Sequence, residues 1–473
     1  MRTPTRLPRL MAVAVILGTA GCAPATEPAA EPAVAQTDSV PAQSSVAAGA
    51  WQPLGLEDLP FDLEIWVDSD EGNAAQSGLI NASPVVLDAA AAVAPGVLHE
   101  LSLLGHTEVD DRGLPGPAIR AVLNSDFALA GLMEPIAGVE ITDLAQLPTS
   151  LGTVNTEGVF DTLDFLSDPI ELPGSNPDAL YFEPQDFSVS GQWVVWREGS
   201  AGDHGRMPTI DTDDWRLIGW DQEEEQATEY ASAYLLHGDR FAPRAPEASV
   251  PSTDGEFIYF SAALPDETLS ALSQPMASEE SPCLLGAVPS VSQYAVDGWS
   301  TGVLRVPWAE PGAVEVIAQG VVPAADVGAV GAFWVEVSSC LVRDGEPFVR
   351  VAGEGAQIST VAVSEDLLVL GVNAEDASDA WLVIWDRDAN SVAAVIRSTG
   401  DWISADVNES TLVWGNGSAN SNPAMYLWEL GDTAATILGS VQGMSNPKYG
   451  DGLLAVPAKT NNGALQWELY RVD

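Results

Sequence analysis

The side chains best suited to metal binding or nucleophilic chemistry are three cysteines and four histidines, and their spacing limits the chemistry they can do. His99, His106, His204 and His237 are far apart, with no His-x-His or His-Glu-x-x-His pair to converge on a metal ion. Exposed or hydrogen-bonded histidines are therefore expected, and neither a metal nor a cofactor. Carboxylates are abundant, 68 in all. The segment Asp386-Arg387-Asp388-Ala389-Asn390 starts like a calcium loop, because alternating carboxylates converge on one cation. It has Ser391 and Arg397 where such a loop needs glycine and a bidentate glutamate. Asx side chains closing a hairpin are the expected role there, and also in Asp68-Ser69-Asp70-Glu71-Gly72-Asn73. Asp221 with Glu223, Glu224 and Glu225 reads as a solvated charge run. No Gly-x-Ser-x-Gly elbow occurs, which argues against serine-hydrolase chemistry. Carboxylate-based glycosidase chemistry needs only two or three converging acids, and the sequence cannot select them. No catalytic residue is assigned.

The charge balance excludes one class of partner. Lys+Arg number 18 against 68 Asp+Glu, so the formal net charge is 18 − 68 = −50. A nucleic-acid binder needs a basic track to displace counterions, and this chain has two lysines, Lys448 and Lys459. Such acidity fits a salt-adapted or envelope-exposed surface on which like charge keeps copies apart, so a monomer is expected.

The N-terminus reads as an export signal. Arg2, Arg6 and Arg9 form a positive region, Leu10 to Leu17 an apolar core too short to span a bilayer, and Gly18-Thr19-Ala20-Gly21 precede Cys22. This arrangement resembles the lipobox of bacterial lipoproteins, although Thr19 stands where that pattern prefers leucine. The resemblance implies removal of residues 1–21, lipid attachment at Cys22 and a membrane-anchored protein on the extracytoplasmic face. The other reading is an ordinary signal peptide with an incidental cysteine. Residues 22–50, rich in Ala and Pro and without an aromatic, read as a disordered tether. It would reach roughly 30 Å as a coil and at most about 85 Å when extended. In an exported chain Cys283 and Cys340 are the remaining pair, which favours a disulfide over two separate buried thiols. Closing that loop would contribute roughly 4 kcal/mol.

Residues 51–473 show no second linker of this kind and are read as one domain. Apolar runs follow polar or glycine turns at Gln192 (QWVVWRE), Glu256 (EFIYFSA), Ala332 (AFWVEV), Asp366 (DLLVLGV), Ser410 (STLVWGN) and Gly452 (GLLAVPA). Most are followed by a second strand ending in an aromatic, such as WRLIGWDQ and WLVIWDRD, and often by a third. Repeats of about 40 residues built from short strands indicate an all-β β-propeller. In a propeller each blade is covered on both faces, so strands such as WVVW and LLVL should be continuously apolar rather than alternating. Buried helices fit less well, because the runs are short, β-branched or aromatic, and bounded by turn residues.

Ser252-Thr253-Asp254-Gly255-Glu256-Phe257-Ile258-Tyr259-Phe260 resembles the repeat of TolB-like propellers, in which a Ser-Pro-Asp-Gly turn leads into an apolar strand. Ser188 to Trp196 and Asn408 to Trp414 are looser copies, and all lack the proline. The resemblance covers roughly residues 186–473. Residues 57–185 are read as one or two degenerate blades, with SPVVLDAAAAVAPGVLHELSLLG either a strand pair or a helix interrupted by Pro95. Seven blades are expected, with six or eight as alternatives. The last repeat lacks a final strand, and Trp51 to Leu56 are expected to supply it and close the ring. A TolB-like propeller on a lipid anchor implies a non-catalytic module of the cell envelope that binds or scaffolds a partner protein. The alternatives are a propeller enzyme on glycans or lactones and an extracytoplasmic solute receptor.

Overall fold

The computed structural model describes residues 50–56, 59–67, 85–88, 101–107, 116–133, 149–163, 183–201, 212–224, 226–238, 242–243, 251–272, 283, 298–319, 333–336, 339–343, 346–353, 355–373, 379–399, 402–417, 424–432, 435–440, 447–459 and 465–472. Cys22, the leader, the tether before Ala50, Asp68 to Asn73, His99, His204 and Glu225 lie outside them. The chain divides between Ser45 and Val46, and every element below belongs to the unit Val46–Asp473.

That unit is a β-propeller of seven blades. Four strands precede the ring proper: β1 (Ala50–Pro53), β2 (Asp62–Val67), β3 (Val85–Asp88) and β4 (Ser102–His106). Blade 1 is β5 (Ala118–Val122), β6 (Phe127–Met133), β7 (Thr149–Asn155) and β8 (Phe160–Thr162). Blade 2 is β9 (Glu183–Ser190), β10 (Trp193–Ala201), β11 (Thr212–Asp221) and β12 (Ala227–Ser232). A helix, α1 (Ala233–His237), and the short β13 (Ala242–Pro243) follow it. Blade 3 is β14 (Ser252–Thr253), β15 (Phe257–Pro265), β16 (Trp299–Pro307) and β17 (Glu315–Gln319), with helix α2 (Asp266–Leu272) leaving β15. Blade 4 contains β18 (Phe333–Glu336), β19 (Cys340–Arg343) and β20 (Glu346–Ala352). Blade 5 is β21 (Gln357–Val363), β22 (Leu367–Asn373), β23 (Asp379–Asp386) and β24 (Ser391–Thr399). Blade 6 is β25 (Trp402–Asn408), β26 (Thr411–Gly417), β27 (Ala424–Glu429) and β28 (Thr436–Ser440). Blade 7 is β29 (Lys448–Gly450), β30 (Leu453–Lys459) and β31 (Leu465–Arg471).

Blade-to-blade burial explains why these strands are apolar on both faces. Along β10, Val194 and Trp196 enter the core shared with blade 1, whereas Val195 enters the core shared with blade 3. Along β22, Leu367 and Val369 face blade 6 while Leu368 and Leu370 face blade 4. Each neighbouring pair of blades has such a core, and the set closes where Leu453 and Ala455 of blade 7 meet Ala128 and Ala130 of blade 1. Burying one such large side chain is worth about 1.5–3 kcal/mol, so the ring is held by its seams rather than by one central core.

The four early strands correct the expected closure. Trp51 to Leu56 do not complete blade 7. Its outer strand is β4, antiparallel to β31 with Arg471 opposite Ser102 and Glu468 opposite His106. The amide of Trp467 donates to Thr107 Oγ1 at 2.9 Å and the amide of Thr107 to the Trp467 carbonyl at 2.9 Å, extending the pairing. Trp51 is held elsewhere, opposite Trp66 in the β1–β2 hairpin that widens blade 4 from β20. The two indoles meet edge to face at 5.1 Å, and the Arg350 guanidinium lies 4.7 Å over the Trp51 ring while ion-paired to Glu64. Leu54, Phe61, Leu63 and Ile65 fill the core between blades 4 and 5, which fixes the hairpin there. Strand β3 adds to blade 5, parallel to β24. β3 and β4 therefore join different blades and are not a pair, and the stretch before Glu183 holds one full described blade plus strands lent to three others.

Antiparallel blades give the ring two unlike ends. Turns joining first to second and third to fourth strands gather at one end, and the remaining connections at the other. The first end has short hairpins: Asn124, Asn155, Asp221, Asp254 and Asp386 accept hydrogen bonds from amides two to four residues on. The second end carries the long connections, including the one from Pro265 to Trp299, the longest between successive described strands.

Candidate functional site

At the long-connection end, blades 2 and 3 carry the helices of the described residues. Ser232 opens α1 in extended geometry, its hydroxyl accepting from the Leu235 amide at 3.1 Å. Gly238, at φ 76°, ends it by donating its amide to the Tyr234 carbonyl. Ala233 and Leu236 of α1, with Leu269 and Leu272 of α2, enter the core between blades 2 and 3 against Trp299. The close seat of α2 depends on Gly302, where a Cβ would lie 2.8 Å from Leu269 Cδ2. Asp266 fixes its start, accepting from Ser300 Oγ at 2.6 Å and donating its amide to the Gly298 carbonyl. Between the helices, the His237 ring meets Trp299 edge to face at 5.2 Å. Tyr234 and Leu235 remain 39% and 55% exposed on the outer side of α1.

A buried ionic cluster in blade 2 supports α1. Glu198 and Arg216 are directly opposite on β10 and β11, form an ion pair, and are almost fully buried. The other Glu198 oxygen accepts from Trp196 Nε1 at 2.9 Å, so both oxygens are engaged. Glu229, just before the α1 cap, is held above the usual carboxylate range chiefly by burial. A hydrogen bond from Ser232 and the Arg216 charge oppose that shift, and Glu198 adds to it.

The long connection that starts with α2 is tied again in its middle. Cys283 is bonded to Cys340 at the start of β19, with Cα atoms 5.7 Å apart, and both are buried between blades 3 and 4 beside Tyr259, Val303 and Trp334. The segment is thereby fixed at its first helix, at Cys283 and at Gly298.

The remaining candidates are dispersed. Asp386 accepts from the Ala389 amide at 2.8 Å and closes β23–β24. Asp221 accepts from the Glu223 amide and from Gln192 Nε2, which closes β11–β12 and ties it to β9–β10, while Glu223 and Glu224 are exposed. His106 is exposed on β4, far in the chain from His237 in α1. Among the described residues no three His, Cys, Asp or Glu side chains are grouped so as to hold a metal ion. No helix among them is long and apolar enough to cross a membrane. The helical platform was missed from the sequence, although Ser232 and Gly238 bracket YASAYLLHG as cap residues. Glu198 and Arg216 carry no local motif, because their pairing depends on the β10–β11 register.

No protein-family model matches the chain, and no curated protein matches it in sequence. Solved structures similar to it include an oligogalacturonate lyase in complex with manganese, at 9% identity and a TM-score of 0.45, covering 79% of this chain and 97% of that one. An acylaminoacyl peptidase is similar at 11% identity and a TM-score of 0.40, covering 78% and 51%. TolB from Acinetobacter baumannii is similar at 9% identity and a TM-score of 0.33, covering 74% and 65%. Likenesses this distant do not extend to activity or ligand, and the propeller assignment rests on the seven sheets and their seams.

Proposed function

We propose that the protein is an exported lipoprotein of the cell envelope, anchored by acylated Cys22 on the extracytoplasmic face, whose TolB-like propeller binds a partner protein without catalysing a reaction. The observation that carries this reading is the built platform over blades 2 and 3. Tyr234 and Leu235 are presented to solvent on a helix capped at both ends, beside a long connection held by the Cys283–Cys340 bond. An exposed aromatic and leucine on a rigid support suit a partner-binding anchor, because little side-chain and loop freedom is lost on docking. The net charge of −50 keeps copies apart, so the protein acts as a monomer and takes no nucleic acid.

Two variants of the full chain test this. Cys22→Ser should move the protein from the membrane fraction to the soluble one, and continued detergent-dependent partitioning would refute the anchor. Cross-linking in envelope extracts should capture one polypeptide whose recovery falls at least about tenfold with Leu235→Asp. Equal recovery with wild type and variant would reject the platform as the binding surface.

A further inference from the structure

In two places the fold seats one of its own arginines on an aromatic ring and a carboxylate at once. Arg350 lies 4.7 Å over the Trp51 ring while ion-paired to Glu64, and Arg305 lies 4.4 Å over the Phe257 ring while its Nε donates to Glu315 at 2.8 Å. A cation so held is attracted both by the ring face and by the carboxylate charge. The platform over blades 2 and 3 repeats the ring and the carboxylate without the arginine. Trp299 is half-buried there, and from α1 the His237 ring meets it at 5.2 Å with the two planes 85° apart. From α2 comes Asp266. Its neighbour Pro265 is directly opposite Trp299 across β15–β16, its amide donates to the Gly298 carbonyl at 3.0 Å, and its Oδ1 accepts from Ser300 Oγ at 2.6 Å. The carboxylate is thereby fixed to the residues on either side of Trp299.

The border of this surface is aromatic on one side and acidic on the other. Tyr234, 39% exposed, stands one helical turn before His237, and residues three apart are neighbours on a helix surface. Asp266 and Glu267 are both exposed in the first turn of α2. Among the described residues no Lys or Arg is ion-paired to either carboxylate or lies over the Trp299 or Tyr234 ring. An occupant complementary to this surface brings a positive charge. Residues 23–49 of this chain contain no Lys or Arg, and a second copy carries another charge of −50, so neither the tether nor self-association fits.

We propose that the surface bounded by Tyr234, His237, Trp299 and Asp266 takes one Arg or Lys side chain from a different protein. The cationic group meets the Asp266 and Glu267 carboxylates while its aliphatic stem lies against the aromatic rings. This deepens the partner-binding reading of the platform and rests on it: Leu235 supplies apolar contact, and this surface selects the charge of the residue beside it.

The probe is the capped tripeptide acetyl-Leu-Arg-Leu-amide, titrated against the full chain by calorimetry beside its citrulline analogue, which keeps the shape and removes the charge. The arginine peptide should bind at least about tenfold more tightly. Asp266→Asn, which keeps an oxygen for Ser300, and Tyr234→Ala should each weaken it about five- to tenfold. Glu365→Gln and Asp388→Asn remove the same charge from exposed turns of blade 5 at the opposite end of the ring, and should leave binding within about twofold. Equal binding of the citrulline peptide would reduce the effect to apolar contact and overturn the proposal. Equal losses from the platform and blade 5 variants would reduce it to bulk charge, and no binding of the arginine peptide to the wild-type chain would overturn it outright. Envelope capture decides the platform separately. Capture lost with Leu235→Asp but kept with Asp266→Asn would retain the platform and refute the cation site. Charge-dependent peptide binding with capture untouched by Leu235→Asp would refute the platform as the envelope-binding surface and leave the cation site standing.

Discussion

Glu198 shows how a carboxylate in so acidic a chain becomes structural. Both oxygens are engaged, by Arg216 and by the Trp196 indole, in a site closed to water. Removing one member of a buried pair leaves the other charged and desolvated. Glu198→Ala should therefore cost about 3–5 kcal/mol, and Glu198→Leu with Arg216→Met should recover most of it. Urea unfolding midpoints decide the matter, and a single variant that melts like wild type would show the pair to be idle. Glu229, beside this pair, is held above the usual carboxylate range, chiefly by burial. A carboxyl raised above its unfolded value binds its proton more tightly when folded. Its contribution to stability is thus fully present below the unfolded value, near 4.5, and is lost as pH rises through the folded one. Glu229→Gln should be more stable than wild type at neutral pH, with the gain shrinking as pH falls toward about 4.5. A melting-temperature difference independent of pH would contradict this.

At the scale of elements, turn chemistry was readable and strand destination was not. Thr253-Asp254-Gly255 reads as a turn and is one: Asp254 Oδ1 accepts from the Glu256 and Phe257 amides at 2.9 and 2.8 Å, and Gly255 sits at φ 87°. The LLVL and WVVW runs read as strands covered on both faces, which they are. The segment after Leu101 gave no such indication, because SLLGH has neither a distinctive turn nor a long apolar run. Its place as the last strand of blade 7 depends on small residues at close backbone crossings, above all Gly105 against Glu157. Gly105→Val forces that backbone contact apart, so it should destabilise the whole ring by about 1–3 kcal/mol or more, as overpacking does. Coincident loss of far- and near-UV circular dichroism at a lower temperature is the expected result. An unchanged midpoint would mean that β4 is dispensable to closure.

For the whole molecule, composition and repeat sufficed for the class: a strongly acidic, all-β propeller. The recurring apolar runs carry that information locally, since each blade must present two dry faces and short turns whatever its neighbours are. The short-turn end was likewise legible, because Asx and glycine residues act within a few positions of themselves. Tertiary structure alone decided which blade each early strand joins, that Glu198 meets Arg216, that α1 and α2 share one core, and that Gly105 comes to rest against Glu157. All of these join residues far apart in sequence or on separate strands, where register and ring closure, not local propensity, choose the partner. A propeller gathers its surfaces from separate blades, so its binding faces leave no contiguous signature in the chain.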